Sequence, residues 1–123
     1  MWQEIDIICR YHQTILIDAA MFRDFFLGFI KIHILYHASK QPIYGVEMLE
    51  ELGRHGYRLS PGTIYPTLHR LTKEGYLSTQ SKVVDGKVRK YYTITEHGLE
   101  ALDEARGKIT ELVEEVIEER LDR

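Results

Sequence analysis

Apolar residues recur at different periods along the chain, and each change of period marks an element. From 2 to 19, Ile5, Ile8, His12, Ile15 and Ala19 alternate at spacings of three and four. This heptad-like seam predicts a helix of about four to five turns that packs on another helix. Between 21 and 39 the apolar groups thicken: Met21, Phe22, Phe25, Phe26, Phe29, Ile30, Ile32, Ile34 and Leu35. A helix apolar on most sides is expected to be buried on most sides. Ser39 to Pro42 reads as a connector, because Pro42 cannot continue a helix and pushes the preceding residue toward extended geometry. A second helix is expected from Tyr44 to Leu52, with Val46, Leu49 and Leu52 facing inward and Gly53-Arg54-His55-Gly56 ending it.

The stretch from Leu59 to Gly75 carries a helix with both ends marked. Ser60 is suited to the N-cap, where its hydroxyl can accept from a first-turn N–H. Pro61 suits the first helical position, where a missing donor costs nothing. Gly75 suits the left-handed residue that closes a last turn. Ile64, Leu68 and Leu71 form one apolar stripe, while Thr63, Tyr65, Thr67, His69, Arg70 and Lys73 lie mostly off it. Pro66 strains the early turns but lies near the start. Two short helices joined by a glycine-containing turn have the spacing of a helix-turn-helix.

After Gly75 the period falls to two. Tyr76 to Val84 and Lys87 to Ile94 read as strands, joined by Asp85-Gly86, a two-residue type I′ hairpin signal. That turn sets Leu77 opposite Ile94, Thr79 opposite Tyr92 and Val83 opposite Val88, with the apolar pairs on one face. Lys82, Lys87, Arg89 and Tyr91 fall on the other face. A basic-tipped hairpin directly after a helix-turn-helix is a wing; an ordinary solvated hairpin is the plainer alternative. Thr95 then caps a final helix from Glu96 to Leu121, whose narrow seam of Leu102, Ala105, Ile109, Leu112 and Val116 needs a partner. A two-fold dimer is the commonest way to supply one. The fold class is therefore mainly α (α+β): residues 1–20 as a helical extension, 21–95 as a winged helix-turn-helix DNA-binding domain, and 96–123 as a C-terminal dimerisation helix.

Charge sharpens this picture. The net charge of −3 hides a strong asymmetry. Residues 57–95 hold seven basic and two acidic side chains, whereas 96–123 hold four basic and ten acidic. Only the middle block would attract phosphate, and the acidic end should point away from it. No apolar run is long enough to cross a bilayer and the start lacks a signal-peptide pattern, so a cytoplasmic location and no membrane partner are expected. Cys9 is the only cysteine. His33 and His37 have i, i+4 spacing, but the sequence shows no third ligand near them, so no metal and no cofactor are expected. The chain also lacks a nucleophile–base pair, a phosphate loop and an apolar carboxylate pair, which argues against an enzyme.

At these residues the sequence resembles the PadR family of bacterial transcriptional regulators. The resemblance rests on Tyr44-Gly45, the run from Leu59 to Leu71, Glu74-Gly75-Tyr76-Leu77, Lys90-Tyr91-Tyr92, Ile94-Thr95 and Gly98. It spans about residues 24–106 and looks like the subfamily with a single short C-terminal helix. It implies a winged helix, a homodimer held by the terminal helices, and a repressor acting on a palindromic double-stranded DNA operator. The final helix carries no aromatic residue, so a small aromatic effector would fall to Trp2, Phe22, Phe25, Phe26 and Phe29; core packing of these phenylalanines is the alternative.

In that frame Thr63, Tyr65, His69 and Arg70 are the expected groove contacts, with Arg70 the strong bidentate donor. Ser60 and the helix-start N–H groups suit a phosphate oxygen. Lys73 reaches phosphate, and Lys87, Arg89 and Lys90 on the wing touch backbone or enter the minor groove. Tyr44 either donates its hydroxyl to phosphate or packs in the core. The alternative function is a winged-helix protein-interaction module without DNA binding.

Overall fold

The structure, a computed structural model, describes residues 19–119. The expected helix over 2–19, Trp2 and Cys9 lie outside the described residues. Four helices and one hairpin follow in the order α1 (Ala19–Lys40), α2 (Gly45–Arg54), α3 (Pro61–Lys73), β1 (Leu77–Val84), β2 (Lys87–Ile94) and α4 (Glu96–Leu112). The last helix continues in wider π-helical turns over Val113–Glu118, where a uniform α-helix was expected. Among the described residues no helix is long and apolar enough to cross a membrane.

The core is a single cluster to which every element contributes. It joins Ile30, Ile34, Leu35 and Ala38 of α1, Met48 and Leu52 of α2, and Ile64, Leu68 and Leu71 of α3. Leu77, Tyr92 and Leu102 close it from the hairpin and α4. The second half of α1 is buried as its composition demands, but Phe25 in the first half is 50% exposed.

In α2 the inward stripe is Gly45, Met48 and Leu52, with Leu49 partly buried. Val46, expected inward, is 53% exposed. The reason is the fit at the helix start: a Cβ at residue 45 would run into the Tyr65 ring, so the bare face of Gly45 turns toward α3. Val46, about 100° further round the helix, is carried outward.

Both α2 and α3 end in the same closure. Gly56 (φ 88°) donates to the Gly53 carbonyl at 3.0 Å and Tyr57 to that of Leu52 at 3.0 Å. Gly75 (φ 89°) donates to Thr72 at 3.0 Å and Tyr76 to Leu71 at 2.9 Å. These paired bonds satisfy the last-turn carbonyls and need a residue tolerant of left-handed backbone. Because the Tyr76 amide is spent on α3, β1 begins at Leu77, one residue later than the sequence pattern suggests.

The hairpin has the expected register, Leu77↔Ile94, Thr79↔Tyr92 and Val83↔Val88. Asp85 (φ 52°) and Gly86 (φ 77°) both take positive φ, as a type I′ turn requires. Only the root of the apolar face is covered; Val83 and Val88 at the tip are 74% and 73% exposed. The connector after α1 does more than turn the chain. Ile43 and Tyr92 exchange backbone hydrogen bonds of 2.9 and 2.7 Å, so β2 is pinned to the start of α2. Thr95 caps α4, accepting from the Gly98 N–H at 3.0 Å, and donates to the Gly75 carbonyl at 2.5 Å. The expected seam of α4 is buried only at its beginning, at Leu102. Ile109, Leu112 and Val116 stand open on the described chain, together with Val113 and Ile117.

One expectation about α1 is overturned. His33 and His37 do have a third imidazole beside them: α2 packs so that its C-cap residue, His55, comes alongside. The His33 ring stacks on His55 at 5.3 Å and on His37 at 6.5 Å between centroids. Burial first, then the neighbouring His55 and His37, push the His33 imidazole below its ordinary range. Local spacing gave no sign of this, because His55 reaches the pair only through the connector and the whole of α2.

The rotation of α2 is directly testable. Met48→Ala should cost about 2–5 kcal/mol in chemical denaturation, as a buried large-to-small change does. Val46→Ala should stay within about 0.5 kcal/mol. Comparable losses at both positions would mean that α2 is turned differently.

Candidate nucleic-acid interface

Burying Ile64, Leu68 and Leu71 decides what α3 shows outward. At about 100° per residue, it turns Gly62, Pro66, His69, Arg70 and Lys73 away from the core, with Tyr65 on one flank and Thr63 on the other. Of these only Thr63 is half-buried; the rest are exposed. The centre of the face carries no long side chain early on, only Gly62 and Pro66, which the sequence reading did not single out. Thr67 is taken out of the exposed set by its own hydroxyl, which donates to the Thr63 carbonyl at 2.7 Å. Ser60 stands at the N-cap with extended backbone, but its hydroxyl makes no capping bond. The backbone closes the first turn instead, with the Thr63 and Ile64 amides on the Ser60 carbonyl at 3.0 and 3.1 Å. The expected cap bond is thus corrected, and the Ser60 hydroxyl remains exposed beside the helix start.

The wing supplies the facing wall. Strand alternation places Lys82, Arg89 and Tyr91 on one face of the hairpin. The Arg89 guanidinium lies 4.2 Å from the centre of the Tyr44 ring, and Tyr44 meets Tyr91 edge-on at 5.5 Å. Lys82 caps the other end, 5.3 Å from the Tyr91 ring centre. A side-chain hydrogen bond with Tyr91, above all, pushes the Arg89 pKa above its ordinary value. Tyr44 therefore neither enters the core nor stands free: it is the platform on which the wing arginine rests. Such cation–π contacts favour one conformation of a long side chain.

Between the start of α2, the flank of α3 and β2 lies an open cleft of about 900 Å³. It brings together Tyr44, Tyr65, His69, Lys87, Arg89 and Lys90 of the residues expected from sequence, with Asp85 as the acidic member at the tip. Lys90 pairs with Ser81 and faces opposite to Arg89, yet both rim the cleft. Ser60, Thr63, Arg70 and Lys73 lie outside the cleft, elsewhere on α3 and its approach. Tyr91 and Lys82, expected on this face of the wing but not named among the DNA contacts, complete the stack. The signal was present in the sequence: Tyr91 is two residues from Arg89, hence on its face of the strand.

The phenylalanines of α1 form a chain of ring contacts: Phe25 to Phe29 at 4.6 Å, Phe25 to Phe26 at 5.8 Å and Phe22 to Phe26 at 6.4 Å. They sit on a different element from the cleft and do not share it.

The family model described as the transcriptional regulator PadR-like family matches residues 34–104. The transcriptional regulator Rv3488 of Mycobacterium tuberculosis is 46% identical over 95 residues, covering 77% of this chain and 89% of that protein. Among solved structures, a PadR family transcriptional regulator from Eggerthella lenta superposes with a TM-score of 0.72 at 27% identity, over 88% of this chain and 93% of that one. A PadR-like regulator from Bacillus cereus is 37% identical with a TM-score of 0.61, over 73% and 92% of the two chains. The matched span runs from the buried half of α1 through both strands into α4, and by that match the chain belongs to the PadR-like family of transcriptional regulators.

Proposed function

We propose that this regulator is a ligand-responsive repressor that binds a palindromic operator as a homodimer, with one α3 per subunit in successive major grooves and each wing against the adjacent backbone. The observation that carries the reading is the cleft in which Tyr65 and His69 of α3 meet the stacked Arg89–Tyr44–Tyr91–Lys82 wing. It joins hydroxyls, an imidazole and cations across one side of the molecule, while the acidic groups concentrate on α4. Major grooves facing one side of a duplex recur about every 10 bp, so half-sites should be spaced by that or a small multiple.

Arg70 reads a base, because a guanidinium on the exposed face of a groove helix can pair bidentately with guanine. Ser60 and Lys73 meet phosphate, and Lys87, Arg89 and Lys90 follow the backbone beside the wing. Dimerisation falls to the 1–20 extension and the 96–123 helix. The open row Ile109, Leu112, Val113, Val116 and Ile117 supports this, since so long an apolar edge is costly to leave in water. The half-exposed Phe25 and its ring neighbours Phe22, Phe26 and Phe29 supply the contacts for a small aromatic effector.

Operator selected from a random pool gives the substrate for three checks. Arg70→Ala should weaken specific binding by about 1–3 kcal/mol and leave random-sequence binding nearly unchanged, whereas Lys87→Ala should weaken both alike and lower the salt slope by about one; fluorescence anisotropy at several salt concentrations reads both. Leu112→Glu with Val116→Glu should convert dimer to monomer in sedimentation and weaken operator binding with it. Phe25→Ala should leave operator affinity intact but abolish its loss on adding an aromatic effector found by screening. Failure to select any DNA, with retained binding to protein targets, would favour the protein-interaction module instead.

A further inference from the structure

A second constellation lies between α1 and the end of α2, on elements other than the wing and α3. His33 and His37 project from one face of α1, and His55 stands at the C-cap of α2. One ring nitrogen from each lies within 4.8 Å of the others. Glu51, one turn before His55, brings its Oε1 to 3.8 Å from His37 Nε2 and 3.5 Å from His55 Nε2. Its other oxygen is engaged by Arg54 at 3.2 Å, which orients the carboxylate with Oε1 turned toward the imidazoles. All three histidines are half-buried, so the cluster is sheltered yet reachable from solvent.

We propose that His33, His37 and His55, with Glu51 as carboxylate ligand, form a binding site for a divalent transition-metal ion of the zinc, nickel or copper type. The donor set argues for that class: imidazole suits Zn, Ni and Cu, and a single carboxylate among three imidazoles disfavours the oxygen-seeking Mg and Ca. Zn–N bonds of about 2.0–2.1 Å put tetrahedral ligand atoms roughly 3.3 Å apart. The three nitrogens, within 4.8 Å of one another, would draw together around a bound ion. Ligating imidazoles must be neutral, so uptake should weaken as pH falls. The i, i+4 pair on a rigid helix fixes two ligands in advance, and Arg54 acts on Glu51 as an outer partner of the kind that tunes metal sites. Metal held here would join α1 to the end of α2, behind the helix that faces DNA. The site stands independently of the operator reading.

The test uses the full chain at neutral pH after chelator treatment, titrated with Zn2+ and Ni2+ against a chromophoric competitor chelator. The expected result is one ion per chain, with affinity reduced at least about tenfold by His33→Ala, His37→Ala or His55→Ala. His97→Ala should bind as the wild type does, because His97 stacks on Tyr76 near Glu100, away from the cluster. Circular dichroism establishes that each variant is folded. X-ray absorption at the zinc edge of the loaded wild-type chain supplies a readout that needs no variant, with three imidazoles expected in the ion's first coordination sphere. No uptake by the wild type, wild-type affinity in the folded cluster variants, or a zinc shell with fewer than two imidazoles would overturn the proposal; in that case the cluster is a stacked, Glu51-bonded packing contact only.

Discussion

The paired backbone hydrogen bonds between Ile43 and Tyr92 hold the architecture to one geometry. A two-stranded hairpin is marginal by itself, and this one is solvated over most of its length. Docking β2 on the residue just before α2 buries both Ile43 and Tyr92 and gives the wing a fixed angle. It also sets Tyr44, next to Ile43, under Arg89. The wing wall, the α2 start and the flank of α3 thus become one rigid cleft rather than three adjacent parts. Thr95, just past that same end of β2, adds a second tie by donating to the carbonyl of the glycine that closes α3.

Much of this was legible in the sequence because it is encoded locally. Ser60-Pro61 and Gly75 bracket α3 by backbone chemistry that operates within one turn of chain. The Asp85-Gly86 turn fixes the whole hairpin register, because two consecutive positive φ values leave one pairing. The features that escaped depend on packing between distant segments. Val46 was placed inward on apolar character alone, but Gly45 under Tyr65 sets the rotation of α2. The role of Tyr44 depended on where Arg89 would lie, forty-five residues away. His55 joins His33 and His37 only after the chain has turned twice, so spacing alone could not reveal the cluster. The Ser60 hydroxyl was expected to cap α3 and does not, since the backbone closes that turn unaided.

Charge and apolar exposure divide the molecule by task. Cations and hydroxyls are gathered on α3 and the wing; carboxylates are gathered on α4 and its π-helical end, beside a row of open aliphatic groups. In the proposed complex this division would keep like charge away from the duplex and leave the apolar row for a second copy to cover. Every described residue from Arg106 onward is exposed, so Leu112, Val113, Val116 and Ile117 are all open. A straight heptad seam would present a narrower edge.

The central claim is that α3 and the wing together form the surface that receives a duplex. Amide chemical-shift mapping of the labelled protein, with and without its selected operator, tests it most directly. The account predicts the largest perturbations at 61–70 and at 82–91, with little change along the outward carboxylates of 103–118 beyond what dimerisation already sets. Perturbations centred on α4, with α3 and the wing unchanged, would contradict it.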